Sequence, residues 1–232
     1  MPLPSCDWLA DIGHMPNFSV LCPNDELIQK LIPHYAEIVD LMVEFLAREK
    51  DPVHVLDLGA GPGRISEVIH KRYPDTQLTL LDSNEDILTV ARKRLGATMP
   101  RFIVGDFTTA DLGHGYDAIA AGLTLHHLDE TGKQAMTARL WDALSPGGRL
   151  VISDLVRGAT PAWDQQYEQM WLDHISGVPA QQHENVFRHY RDHDRPSTVE
   201  DQLRWLQEAG FTEVACHWRH LNFAIFSGQK PG

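Results

Sequence analysis

Hydrophobic positions change their period several times along the chain, and each change marks an element. Between residue 25 and about residue 50, Leu27, Ile28, Leu31 and Ile32, then Ile38, Leu41, Met42, Phe45 and Leu46, recur at helical spacing. Pro33 interrupts this run. Two helices are therefore predicted to meet at Ile32-Pro33-His34-Tyr35, because proline disfavours the helical conformation in the preceding residue and suits the first turn of a new helix. Further on, short apolar runs alternate with amphipathic ones. Strands are predicted at 53–58, 77–81, 101–104, 116–121 and 149–155, and helices at 63–73, 85–95 and 133–144, the last ended by Ser145-Pro146-Gly147-Gly148. This alternation predicts a parallel, doubly wound sheet, in which ligands lie at the carboxyl ends of the strands.

Residues 158–196 break the rhythm. They are rich in Trp, Tyr and His, among them Trp163, Tyr167, Trp171, His174, His183, His189, Tyr190 and His193, and read as helices inserted over the strand ends. Such an aromatic cap suits a substrate lid and equally suits plain packing. Ser197-Thr198-Val199-Glu200 has the pattern of a capping box, with Val199, Leu203 and Leu206 on one helix face and Gly210 as the stop. Two last strands, 211–217 and 222–227, are joined so tightly that only an antiparallel hairpin connects them. The chain reads as one unit of 232 residues: an arm and helices at 1–50, a core at 51–157, a helical lid at 158–196, and a last helix with a β-hairpin at 197–232. The arm, 1–22, has no clear period, and its Trp8, Leu9 and Phe18 would suit a homodimer contact.

Composition narrows the function classes. The chain is 43% hydrophobic and 22% charged, as in an ordinary globular protein, with a formal net charge of −12. That balance opposes a broad nucleic-acid surface, whose affinity comes from Lys and Arg neutralising phosphates. No apolar run approaches a membrane span of about 20 residues. The start of the chain lacks a basic and then apolar leader, which leads to the expectation of a cytoplasmic protein. Cys6, Cys22 and Cys216 form no C-x-x-C pair, so reduced thiols are expected.

The chemistry concentrates at Val55-Leu56-Asp57-Leu58-Gly59-Ala60-Gly61-Pro62-Gly63. A strand runs into a glycine-dense turn and then a helix. Glycines let the backbone take positive φ and let a ligand approach the main chain, beside the free N–H groups of a helix start. A phosphate or an amino-acid-like carboxylate would suit such a turn. A nicotinamide site is disfavoured because the spacing is G-x-G-x-G and Asp57 precedes the turn.

These residues, with Leu81-Asp82, Gly105-Asp106-Phe107 and Leu144-Ser145-Pro146-Gly147-Gly148 in the same order, resemble the motifs of class I S-adenosylmethionine-dependent methyltransferases. The resemblance implies a Rossmann-like α/β fold: a mostly parallel seven-stranded sheet with an antiparallel last strand, N-terminal helices and a helical lid. It implies S-adenosyl-L-methionine as cofactor and S-adenosyl-L-homocysteine as product. The turn Gly59-Ala60-Gly61 would pass under the methionine part, with Asp57 near its amino group. Asp82, with Ser83 beside it, would hold the ribose hydroxyls; Gly105 and Asp106 would meet the adenine, with Ile87 and Phe107 against the ring. Gly122 and Leu123 would line the reacting end.

Methyl transfer from a sulfonium is an in-line displacement, for which alignment in a dry site is the main requirement. Candidate catalytic residues are Tyr35, His126 and His127. The N-terminal helices and the ending from Trp218 are also similar to small bacterial methyltransferases related to carboxy-S-adenosylmethionine synthase. The sequence departs from that group where a carboxylate-binding arginine is needed: Trp205 stands there, with Arg204 one residue off. The expected function is methyl transfer to a small-molecule acceptor. Carboxy-S-adenosylmethionine synthesis and a non-catalytic binding role are the alternatives. His189 and His193 form only half a metal site on a helix face, so no metal is expected.

Overall fold

The computed structural model describes residues 25–47 and 49–232, apart from the side chains of residues 180–183. The predicted arm, with Trp8, Leu9, Phe18, Cys6 and Cys22, lies outside them, as does the His183 side chain. The two predicted N-terminal helices are α1 (Asp25–Leu31) and α2 (Tyr35–Leu46), parted at Pro33. The alternating run gives β1 (His54–Leu58), α3 (Arg64–Arg72), β2 (Gln77–Asp82), α4 (Glu85–Leu95), β3 (Arg101–Val104), β4 (Tyr116–Gly122), α5 (Glu130–Ala143) and β5 (Leu144–Leu155). The chain ends in α6 (Pro161–His174), α7 (Ala180–His193), α8 (Val199–Glu208), β6 (Thr212–His220) and β7 (Phe223–Gln229). Among the described residues no helix is long and apolar enough to cross a membrane.

The seven strands form one sheet in the order β3-β2-β1-β4-β5-β7-β6. β1 to β5 pair in parallel and β7 runs antiparallel to both β5 and β6. Side chains alternate across a strand, so each strand feeds two cores. Val55, Leu80, Ala118, Ala120, Val151 and Ile225 face one layer, built with α1 to α4, α6 and α7. Leu56, Leu81, Ile119, Ala121, Ile152 and Phe226 face the other, built with α5 and α8. Both faces are covered, which is why the strands read as continuous apolar runs.

Three of the differences from the sequence reading have a visible physical cause. α5 starts three residues earlier, because Asp129 caps it by accepting from the Gly132 N–H at 2.7 Å. Pairing of β5 begins at Leu144, opposite Tyr116, and resumes at Arg149, opposite Ala118, so 145–148 bulge out of the ladder. The capping box is shifted by one: Thr198 caps α8 and pairs with Asp201, while Ser197 is buried and accepts from Lys133 Nζ at 2.8 Å.

The aromatic insertion is packing material at its centre. Trp171 is 1% exposed, its rings lie 4.9, 5.5 and 5.3 Å from those of Phe187, Tyr190 and Phe223, and its Nε1–H donates to Leu31 O at 2.8 Å. It thereby ties α6 and α7 to α1 and the sheet. Trp171→Ala is expected to cost about 3–5 kcal/mol, whereas Trp163→Ala, at a half-exposed position, should change stability by less than about 0.5 kcal/mol. Urea unfolding followed by far-UV circular dichroism measures both.

Candidate active site

β1 ends at Leu58 and the chain enters α3 through the glycine turn. Gly59 has φ +66° and Gly63 φ +78°, in the left-handed region that L side chains rarely adopt. A Cβ at Gly59 would lie 1.9 Å from Thr124 Oγ1, and one at Gly63 would lie 2.9 Å from the Ala91 Cβ. Only glycine lets the turn press against the end of β4 on one side and α4 on the other.

Two carboxylates hold it. Asp57 Oδ2 accepts from the Ser66 N–H at 3.1 Å and the Ser66 Oγ–H at 2.6 Å, joining β1 to α3. Asp82 Oδ2 accepts from the Gly61 N–H at 2.9 Å and its Oδ1 from the Asn84 N–H at 2.9 Å. Burial pushes the Asp57 carboxyl up to about 6, against its two bonds from Ser66 and with a further push from Asp82. Burial also raises Asp82, opposed by the N–H groups of Asn84, Gly61 and Ser83.

Around the turn lies a cleft of about 970 Å³, counting its open mouth. Of the residues singled out in the sequence, Tyr35, Gly59, Ala60, Gly61, Asp82, Ser83, Phe107, Gly122, Leu123 and His127 line it. Asp57, Ile87, Gly105, Asp106 and His126 are not among its lining. Asp57 faces Ser66; Ile87 is buried in the first turn of α4; the Gly105 N–H donates to Asp82 O at 3.0 Å. Asp106 is exposed and turned onto Thr108, accepting from its N–H at 2.8 Å and its Oγ–H at 2.7 Å.

Sequence reasoning missed several lining residues. Ile38, Val39 and Met42 of α2 and Ile65 of α3 supply an apolar wall. Their helical spacing was visible, but spacing does not say which part of an apolar stripe meets a cleft. Gly122 was read as lining the site, and its lack of a side chain has a specific partner: a Cβ there would stand 2.3 Å from Ile65 Cδ1.

Beyond β4 the backbone is strained and the side chains turn polar. Leu123 has φ +51° and donates its N–H to Ser153 O at 2.7 Å; a non-glycine residue held this way costs on the order of 1–3 kcal/mol. Burial pushes the Tyr35 hydroxyl far above its ordinary range, aided by Asp25, so it stays a neutral donor. His126 is buried with Nδ1 2.5 Å from Asp154 Oδ1. Burial works against its charged form, but the Asp154 carboxylate outweighs this and raises it. His127 Nδ1 lies 3.1 Å from Asp194 Oδ1, and burial lowers this ring's pKa. His189 Nε2 lies 3.4 Å from the same oxygen, and burial takes it down to about 4. The sequence pairs His189 with His193; in the fold their ring centroids lie 5.1 Å apart, with His193 exposed, and His189 also stands 5.6 Å from His127.

Comparison with known proteins adds three kinds of match. A family model described as a methyltransferase domain matches residues 55–148. The carboxy-S-adenosyl-L-methionine synthase of Chromohalobacter salexigens is 27% identical over 217 residues, spanning 86% of this chain and 77% of that one. The enzyme of the same name from Wolinella succinogenes is 27% identical over 214 residues, spanning 89% of each. Among solved structures, an O-methyltransferase family protein from Burkholderia thailandensis superposes with a TM-score of 0.64 at 18% identity. That match takes in 85% of this chain, which spans 56% of the solved protein's length.

Asp57 generates a pH prediction. Its folded pKa stands above that of the unfolded chain, so the folded state binds more protons between the two values and stability falls as pH rises. Asp57→Asn removes this dependence. The stability of the native protein relative to Asp57→Asn should fall by about 3 kcal/mol between pH 3.5 and pH 7, about two pKa shifts' worth at 1.36 kcal/mol each. Denaturant melts across that range check it, and a flat difference would contradict it.

Proposed function

We propose, from the match of residues 55–148 to a methyltransferase-domain family model, that the cleft binds S-adenosyl-L-methionine and passes its methyl group to a small-molecule acceptor. One observation carries the reading: the Asp82 carboxylate lines the cleft at the end of β2 and is hydrogen-bonded to Gly61 of the glycine turn. The residues fit such a cofactor. Gly59 lines the cleft with bare backbone, and Asp82 offers two acceptor oxygens to a diol. Ser83 and Phe107 line the same cleft and would offer an adenine ring a polar edge and an apolar face. Asp57 supports the turn from within the protein by holding Ser66.

When bound, the cofactor supplies an electrophilic methyl on a sulfonium. The chain's task is then to align the acceptor and exclude water. Ile38, Met42, Ile65 and Leu123 form the apolar wall that does the second. Tyr35 and His127 are the polar groups for the first: Tyr35 Oη donates, and the His127 ring, its Nδ1 toward Asp194, offers Nε2. An acidic balance of −12 favours a small acceptor over nucleic acid.

Similarity to the two synthases, extending beyond the core to 86% and 89% of this chain, favours carboxy-S-adenosylmethionine synthesis as a second reading. Against it, Trp205 is buried in α8, and Arg204 is solvent-facing and paired with Asp201 and Glu208. Arg64 does line the cleft, but Glu67 holds it at 2.8 Å.

Isothermal titration with S-adenosyl-L-methionine and S-adenosyl-L-homocysteine tests the reading, with dissociation constants well below millimolar expected. Asp82→Ala should weaken both by about 10–100-fold, since each hydrogen bond to a charged group is worth roughly 1.5–3 kcal/mol. Unchanged affinity would mean that the site lies elsewhere. Carboxy-S-adenosylmethionine found by mass spectrometry in the purified protein would favour the second reading.

A further inference from the structure

Side chains from separate stretches converge on one carboxylate oxygen. Asp194 Oδ1 lies 3.1 Å from His127 Nδ1, 3.4 Å from His189 Nε2 and 3.7 Å from His126 Nε2. Asp194 follows α7 and is 6% exposed, yet this oxygen makes no hydrogen bond among the described residues. His127 Nδ1, close as it is, also lacks hydrogen-bond geometry. The buried Asp194 carboxylate thus has the His127 and His126 nitrogens 3.1 and 3.7 Å from one oxygen.

Those separations are what a shared ion requires. Ligand atoms about 2.0–2.1 Å from a tetrahedral zinc ion stand about 3.3–3.4 Å from one another, and the distances from Asp194 Oδ1 to His127 and His126, 3.1 and 3.7 Å, bracket that value. The ligand atoms of His126, His127 and Asp194 all lie within 4.8 Å of one another. Imidazoles with one carboxylate form a donor set for first-row divalent ions. His126 has its other nitrogen 2.5 Å from Asp154 Oδ1, the arrangement that fixes the orientation of a ligating ring.

We infer that His126 Nε2, His127 Nδ1 and Asp194 Oδ1 form a binding site for a divalent transition-metal ion such as zinc, with Asp154 as a positioning residue and the fourth position open to water. The ion fastens the end of α7 to the segment leaving β4. Because His127 also lines the cleft, it stands in the cleft wall. The site holds whether or not the cleft transfers methyl groups.

The test uses the full chain without a polyhistidine tag, stripped with a chelator and titrated with zinc alone by calorimetry, with elemental analysis of the dialysed product. One tightly bound ion per chain is expected. Asp154→Asn should weaken binding roughly 10–100-fold, His127→Gln and Asp194→Asn should do more, and His193→Gln should bind as the native protein does. Cobalt(II) should give the intense visible bands of a four-coordinate ion. No zinc uptake, or native-like binding in both His127→Gln and Asp194→Asn, would overturn the inference. If those variants lose their far-UV circular dichroism, the native cobalt spectrum decides: four-coordinate bands support the site, and the weak spectrum of a hydrated ion refutes it.

Discussion

Two buried carboxylates on adjacent strands grip one turn, and the rest of the cleft depends on that grip. Asp57 on β1 binds the start of α3 through Ser66, and Asp82 on β2 binds the Gly61 N–H. Neither partner is optional, since an unmet buried polar group costs more than a hydrogen bond gains. The turn is thus pinned from both strands at the carboxyl edge of the sheet, where Gly59 meets Thr124 beyond β4. Burial raises both acids, so the same desolvation that sharpens the site also destabilises it. Residues that hold the turn and residues that face the cleft are accordingly different: Asp57 does only the first, Asp82 does both.

Much of this was legible in the sequence because it is written in consecutive residues. The strand–turn–helix of β1 and α3, the bounds of α4 and β3, and the antiparallel closing hairpin all follow from local period and turn chemistry. Family motifs then named the cofactor edge, and ten of the residues they pointed to, or that stood beside them, line the cleft. What was hidden depends on tertiary contact. Thr198 rather than Ser197 caps α8 because Lys133, 64 residues away, claims the Ser197 hydroxyl. Whether Ile38 and Met42 face a cleft or a core cannot be told from an amphipathic pattern that serves both. The lid aromatics suit a substrate lid and plain packing alike in sequence, and Trp171 is a strut between α6 and α1.

The histidines make the same point from the other side. A helix-face reading pairs His189 with His193, four residues apart. The fold keeps that pair, with ring centroids 5.1 Å apart, and also brings His189 beside His127 and Asp194. His126 is turned away from the cleft toward Asp154, and His127 faces both the cleft and Asp194. Sheet topology brings this about: the segment leaving β4 and the end of the α6–α7 insertion meet beside β5, where Arg195 N–H donates to His126 O at 2.6 Å.

The most direct measurement of the central claim is a crystal structure of the protein with S-adenosyl-L-homocysteine. The account predicts the ribose hydroxyls within hydrogen-bond distance of Asp82, the homocysteine part over Gly59 to Gly61, and the sulfur turned toward Leu123 and Tyr35. A ligand bound elsewhere, or a cleft that stays free of it at saturating concentration, would contradict it.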